Sequence, residues 1–319
     1  MVSPLRSQAI YHGLAEAMDD RAPDTVVFCS PASPYFCVGY HQNAAEVLDL
    51  DLCRRRGWPV VRRRIGGGAV YLDGAQLFYQ VIVRRARAPF AVDRIYARFL
   101  AAPVEALRRL GLGARLTPPN EIEVRGRRIA GTGGGQLGDA VVVVGNVLLD
   151  FPDARMARAW RTPSSPFRRL AREGLRRHLT TLSRELPRPP SMAAVRDLIA
   201  AAYARTLGAP LVAGELTPGE VEAIARAEVG LASEAFTLAG GGAGGGLKIA
   251  RGVYVFEGRD PAARVHVSLR TRAGVVDALV ARGAVRGAAR RFVGRAVAVD
   301  GGANPAEAVA TALAGHDTD

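Results

Sequence analysis

Three consecutive glycines between two β-like runs force a sharp, open backbone segment early in this chain, and much of what surrounds them follows from that. From Pro59 to Asp73 the sequence reads PVVRRRIGGGAVYLD. Val60 and Val61 begin a strand, Arg62, Arg63 and Arg64 follow, and after Gly66, Gly67 and Gly68 the pattern Ala69, Val70, Tyr71 resumes it as far as Asp73. Without a Cβ, glycine lets backbone N–H groups turn toward an anion and lets a ligand lie against the chain. Arginine adds a forked donor suited to carboxylate or phosphate. Two readings stay open at this point: a pocket for a nucleotide or acyl phosphate, and a tight hairpin whose basic residues face water.

A second glycine-rich segment weighs toward the pocket. In NEIEVRGRRIAGTGGGQLGDAVVVVGNVLLD, Asn120 to Asp150, Glu121–Val124 and Arg127–Ala130 are expected to pair across Arg125-Gly126, and Ala140–Leu149 to continue the sheet. Gly131 to Gly135 reads as a glycine turn between them. Two such turns in one sheet, each beside arginines, point to a shared ligand site.

The surrounding periodicities supply the scaffold. Ser7–Met18, Ala44–Arg56, Asp93–Leu110 and Met192–Leu207 carry apolar residues at helical spacing; Thr25–Cys29, Tyr35–Tyr40 and Gln76–Val83 read as strands. Helices and strands in this order make an α/β layer pattern. Ala154–Arg184 reads as arginine-rich and helical, anchored by Trp160, Phe167 and Leu170. Pro210–Pro218 reads as a linker, the Gly240–Gly246 tract as a flexible loop, and Lys248–Glu257, Ala263–Arg270 and Val275–Val280 as three antiparallel strands. Two helices, Val285–Val293 and Pro305–Leu313, would close a small α+β domain.

Composition narrows the partners less than it first suggests. The net charge is +13, yet Lys248 is the sole lysine among 43 basic residues, so an arginine bias acts on the whole chain. Aromatic residues make up 6% and do not interleave with basic ones, which argues against a nucleic-acid surface. No run approaches the roughly 18 apolar residues of a membrane span, and the N-terminus has no apolar signal core, so no membrane partner and a cytoplasmic location are expected. Cys29, Cys37 and Cys53 lack ligand spacing and are expected as buried thiols, with no metal site. His41 has no ligand partner at metal spacing; a pocket-edge hydrogen bond and a plain turn are both open to it.

Together these stretches resemble the lipoate-protein ligase family, within the wider biotin and lipoate ligase class. The family's arginine pair before three glycines and a short strand ending in His-Asp is similar to the run from Arg62 to Asp73. Its Asn-Asp, Gly-x-Lys-Ile-(Ser/Ala)-Gly and Gly-(Thr/Asn)-Leu-Leu-Asp series is similar to Asn120-Glu121, the run Gly126 to Gly131, and the run Gly145 to Asp150. Val38 to Gln42 resembles the family's Gly-x-x-Gln turn, and LKIARGVYVFEGR resembles the accessory domain of some of these ligases. The resemblance implies an α+β fold, with a mixed or antiparallel sheet flanked by helices over 1–212 and a small α+β accessory domain over 213–319. It implies ATP and Mg2+, lipoate or octanoate as substrate, and a lysine of a lipoyl carrier protein or domain as acceptor. By the same resemblance, substrate and nucleotide are held by Arg62, Arg63, Gly66, Gly67, Gly68, Ala69, Tyr71, Asp73, His41, Asn120, Glu121, Gly131, Thr132, Gly145 and Asn146. Arg128 stands where the family carries its catalytic lysine, Leu72 where it carries histidine, and Glu121 where it carries aspartate. Some relatives instead transfer octanoyl or lipoyl groups between carriers through a cysteine. This chain has no cysteine after Cys53. A binder of lipoyl domains without catalysis is the third reading.

Overall fold

A computed structural model describes residues 1–240, 246–283, 288–298 and 304–315. Its first five strands are β1 (Thr25–Cys29), β2 (Tyr35–Val38), β3 (Val60–Arg62), β4 (Val70–Leu72) and β5 (Gln76–Arg84). Next come β6 (Ala114–Thr117), β7 (Glu121–Val124), β8 (Arg127–Leu137) and β9 (Ala140–Leu148). A six-stranded sheet runs β1-β5-β9-β8-β7-β6 with antiparallel neighbours throughout. A smaller sheet runs β3-β2-β4, where β2 pairs parallel with β3 and antiparallel with β4.

Both faces of the large sheet are covered, which is why β5 reads as an almost unbroken apolar run. Leu77, Tyr79, Val81 and Val83 pack into a core completed by Phe99 and Leu107 of the helix Val92–Arg109 and by Val195, Ile199 and Tyr203 of the helix Met192–Leu207. On the other face Ile82 and Val142 meet Ile10, Tyr11 and Leu14 of the first helix, Pro4–Glu16, together with Ile224, Ala227 and Leu231 of the helix Pro218–Ala232. The first helix starts where Ser3 accepts from Arg6 N–H with Pro4 in the first turn. The helix Pro218–Ala232 starts with a capping box between Thr217 and Glu220. A Cβ on Gly13 would collide with the Ile224 backbone, so these two helices touch at a glycine.

The chain forms two compact units. The first takes the described residues of Met1–Ala44, Leu50–Phe151 and Thr180–Gly241; the second takes those of Ala45–Asp49, Pro152–Leu179 and Gly242–Asp319. A boundary at 212/213 therefore does not separate them. The apolar face of Pro218–Ala232 completes the core of the first unit, and 152–179 belongs to the second. In the second unit β10 (Leu247–Ala250), β11 (Val253–Asp260), β12 (Val265–Arg272) and β13 (Val275–Arg282) form an antiparallel sheet, and the helix Ser165–His178 approaches it at Gly174, where a Cβ would meet Ile249 at 3.3 Å.

Several local expectations change. Lys248–Glu257 is two strands, broken where Gly252 takes a φ of +67°. Ala44–Arg56 is two short helices, Ala44–Val47 and Leu50–Arg55, because Leu48 leaves helical geometry to pair with Trp160. Ala288–Phe292 is a single 3₁₀ stretch; the start of the expected helix Val285–Val293 lies outside the described residues, as does most of the Gly240–Gly246 tract. No helix among the described residues is long and apolar enough to cross a membrane.

Candidate active site

Strand alternation hollows the site out of the large sheet. Residues directly opposed across a ladder share a face. Phe78 pairs with Asn146 and Gln80 with Val144, and on the next strand Asn146 pairs with Gly131 and Val144 with Gly133. Gly131, Gly133 and Gly135 therefore empty one lane of β8. The segment expected as a turn is strand interior, and the chain reverses instead at Gly138-Asp139, where Gly138 has a φ of +54°. A Cβ on Gly131 would collide with the Asn146 side-chain oxygen, and one on Gly133 or Gly135 would meet Ile65 at 3.4 or 3.5 Å. The glycines lower strand propensity and open a groove.

The small sheet and the Gly66–Gly68 loop roof this lane. The resulting cavity, about 80 Å3, is mainly apolar and is lined by Gln8 and Tyr11, by Cys37 of β2, by Arg63, Ile65, Val70 and Leu72, and by Phe78, Gln80, Gly131, Thr132, Gly133, Val144, Gly145 and Asn146 of the large sheet.

The three consecutive arginines have three different places. Arg62 is 1% exposed; its guanidinium donates to the carbonyls of Gly39, Tyr40, Phe236 and Thr237. Arg63 lines the cavity and holds its roof, donating to Gly66 O and Gly68 O at 2.9 Å and to Cys37 O at 3.4 Å. Gly67 can arch over it only with a φ of +106°, and a Cβ on Gly39 would collide with the Gly67 carbonyl. Arg64 turns outward, and its backbone N–H donates to His12 Nε2 at 3.1 Å.

His12 ties the first helix to this loop as a neutral ring. Its Nδ1 lies 2.7 Å from Gln8 O, so Nδ1–H donates there while Nε2 accepts from Arg64. Burial, with Arg64 and Arg63 adding to it, pushes its pKa down to about 4. Between the ordinary value of 6.5 and about 4 the unfolded chain takes up a proton that the folded chain refuses. Stability should therefore fall as pH drops through that window, by at most about 3 kcal/mol for this group. His178 in the second unit, pushed down to about 4 chiefly by burial, titrates alongside. The urea midpoints at pH 7 and pH 4.5 should accordingly lie closer together in His12→Gln than in the wild type. Equal gaps would remove His12 from the explanation.

A second cluster sits where β7 turns into β8. Arg128 pairs with Glu121; Thr132 Oγ1 donates to Asn120 O. The Arg128 carbonyl accepts from Thr180 N–H at 2.8 Å. Beside it Arg127 reaches Glu185, whose side chain is fully buried, at 2.6 Å, and Thr180 Oγ1 donates to the same oxygen at 2.5 Å.

Of the residues expected at the site, Arg63, Gly131, Thr132, Gly145 and Asn146 meet at the cavity. Gly66, Gly67, Gly68 and Ala69 belong to its roof segment without lining it. Tyr71 is in the core, its ring 5.5 Å from Phe36 and 6.1 Å from Phe151. Asp73 accepts from Ala75 N–H at 3.0 Å as a turn residue. His41 is exposed with its ring 5.1 Å from that of Tyr40. Asn120, Glu121 and Arg128 form the β7–β8 cluster. Gln8, Tyr11 and Gln80 were missed; the visible signal was a glutamine inside the buried run QLFYQVIV.

A sequence model described as the lipoyl protein ligase A/B catalytic domain matches residues 3–204. The chain belongs to this family. It is 30% identical over 235 residues to octanoyltransferase LipM of Symbiobacterium thermophilum, covering 66% of this chain and 83% of that one. Over 98 residues it is 35% identical to lipoate-protein ligase LplJ of Bacillus subtilis, 31% of this chain and 29% of that one. The fold matches that of the bipartite lipoate protein ligase studied with its E2 lipoyl domain from Thermoplasma acidophilum, with a TM-score of 0.68 and 21% identity over 75% of this chain and 94% of that one. It also matches lipoate-protein ligase A bound with ATP, with a TM-score of 0.63 and 20% identity over 73% and 93%. Ligase and transferase names both occur among these relatives. Cys37 is the thiol at the cavity wall; burial raises its pKa, opposed by Arg63. Burial pushes Cys29 up to about 12.

Proposed function

We propose that this protein activates lipoate or octanoate with ATP as an acyl-adenylate and passes the acyl group to a lysine of a lipoyl carrier domain. The observation that carries this reading is the narrow apolar slot beside the cluster in which Arg128, at the family's lysine position, pairs with Glu121. A substrate carboxylate oxygen attacks the α-phosphorus of ATP, the bond to the β-phosphate oxygen breaks, and pyrophosphate leaves. The acceptor amine then attacks the acyl carbon, loses its proton, and AMP departs. Arg128 supplies forked donors to the phosphoryl oxygens where a lysine would supply a point charge. Glu121 holds that guanidinium in place. Among the described residues no group of three or more His, Cys, Asp or Glu is placed to hold a metal. Magnesium in such chemistry rides on the phosphates with one or two carboxylates.

The test is pyrophosphate release with ATP, magnesium and either lipoate or octanoate, with biotin as the negative control. The wild type should release it, and Arg128→Ala should lower kcat about 100-fold, as removal of one charge-stabilising donor does elsewhere. Silence in the wild type with activity in Arg128→Lys would mark a binder without catalysis. Silence in both would favour carrier-to-carrier transfer, a reading that the LipM relatives and the place of Cys37 support. Octanoyl transfer without ATP, lost in Cys37→Ser, would then be its signature.

A further inference from the structure

Between Asp153 and His178 the sequence carries eight arginines against two carboxylates, Asp153 and Glu173, so nearly half of the chain's net charge of +13 falls on 26 residues. That is more than twice an even share of the chain's arginines, so a bias spread over the whole composition does not account for it. All eight are exposed.

Two helices of the second unit present them, Asp153–Ala159 and Ser165–His178. The longer helix buries Phe167, Leu170, Ala171, Gly174 and Leu175, which makes its outer side the basic one. Arg172 and Arg176 both reach Asp153, at 3.5 and 3.0 Å, and tie the two helices into one face. Arg158, Arg161, Arg168, Arg169 and Arg177 have no ion pair among the described residues. Arg168, Arg172 and Arg176 follow one another at i,i+4, a spacing at which like charges destabilise the helix that carries them. Carboxylates of a partner would offset that cost.

The chemistry of the face selects the partner. Guanidinium forks bind carboxylates through two parallel hydrogen bonds. Trp160 and Phe167 are buried, and no large hydrophobic residue is exposed from 153 to 178. The face therefore offers no ring for a base to stack on and no side chain to insert into a lipid surface. The acyl transfer proposed above needs a protein as its second substrate and calls for no nucleic acid.

We propose that this arginine face docks an acidic surface of the carrier domain that receives the acyl group. This rests on the acyl-transfer reading, by whichever route the acyl group is activated.

The probe is an acidic E2 lipoyl domain free of its acyl group, titrated into the full chain. The wild type should bind it less tightly as salt rises from about 50 to about 500 mM, since screening weakens exposed charge pairs. The triple variant Arg158→Glu, Arg169→Glu, Arg177→Glu breaks neither ion pair to Asp153. It should weaken binding at least about 10-fold and raise the KM for the domain, with kcat and octanoate-dependent pyrophosphate release unchanged. If that variant does not fold, Arg169→Glu alone, expected to weaken binding about 3-fold, decides. Binding unchanged in the variant, binding indifferent to salt, no binding by the wild type, or tighter retention of a mixed-sequence DNA duplex at the same salt would overturn the proposal. Variant-sensitive binding with no acyl transfer by the wild type would sink the acyl reading and leave the docking face standing. Acylation of the domain with the same KM in both proteins would do the reverse.

Discussion

Replacing Arg62 by alanine should cost the fold about 3–5 kcal/mol, far more than loss of a ligand contact would. The guanidinium donates through Nε to Phe236 O at 2.7 Å, through Nη1 to Gly39 O and Tyr40 O at 3.0 and 2.7 Å, and through Nη2 to Thr237 O at 3.0 Å. Truncation leaves these carbonyls partly buried and unpaired, at about 1–3 kcal/mol for each that water cannot reach. The turn after β2 would also lose its tie to 236–237, which comes from far along the chain. In a unit of this size the melting temperature should fall by about 10 °C. Arg62→Lys keeps the charge without the fork and should recover less than half of the loss. Scanning calorimetry on both variants reads this directly. A melting temperature unchanged in Arg62→Ala, with kcat/KM for acyl activation reduced, would return Arg62 to ligand binding.

Glu185→Ala should be the second large loss, about 3 kcal/mol, with a fall in acyl activation beyond what instability explains. The carboxylate has no solvent exposure and is met by Arg127 at 2.6 Å, Arg125 at 3.6 Å and Thr180 Oγ1 at 2.5 Å. Deleting one member of a buried ion pair typically costs about 3–5 kcal/mol. Here the low end applies, because the Arg127 and Arg125 side chains are 34% and 76% exposed and can rehydrate. The functional part follows from position: Arg127 and Arg128 are consecutive on β8, and Thr180 N–H is bonded to the Arg128 carbonyl. Releasing the 180–185 segment loosens the strand that presents Arg128. Glu185→Gln keeps an acceptor for Thr180 and should lose about half as much. Urea unfolding, read beside pyrophosphate release well below the midpoint, separates the two effects; an unchanged midpoint in Glu185→Ala would exclude this role.

Much of the site was legible as a list of segments and little of it as an arrangement. The Gly66–Gly68 loop and the glycine-rich β8 were both visible as places where side chains are missing. That β8 is a strand was hidden, because glycine clusters ordinarily mark turns, and only pairing with the valine-rich β9 holds Gly131–Gly135 extended. The run Arg62 to Arg64 was equally visible as charge. Nothing local distinguishes a guanidinium that faces a ligand from one that faces backbone carbonyls.

By itself the sequence determined most of the helices and strands, the antiparallel hairpin across Arg125-Gly126 and membership of the ligase family. Those follow from periodicity, turn chemistry and motif order, which are properties of neighbours along the chain. Tertiary structure alone decided that Arg62 and Arg63 act as clamps, that Tyr71 is core, that Glu121 pairs with Arg128, and that Pro218–Ala232 completes the first unit. Each of these depends on what the side chain meets. Arg62 meets residues 174 and 175 positions away, across a distance in sequence that no local pattern encodes.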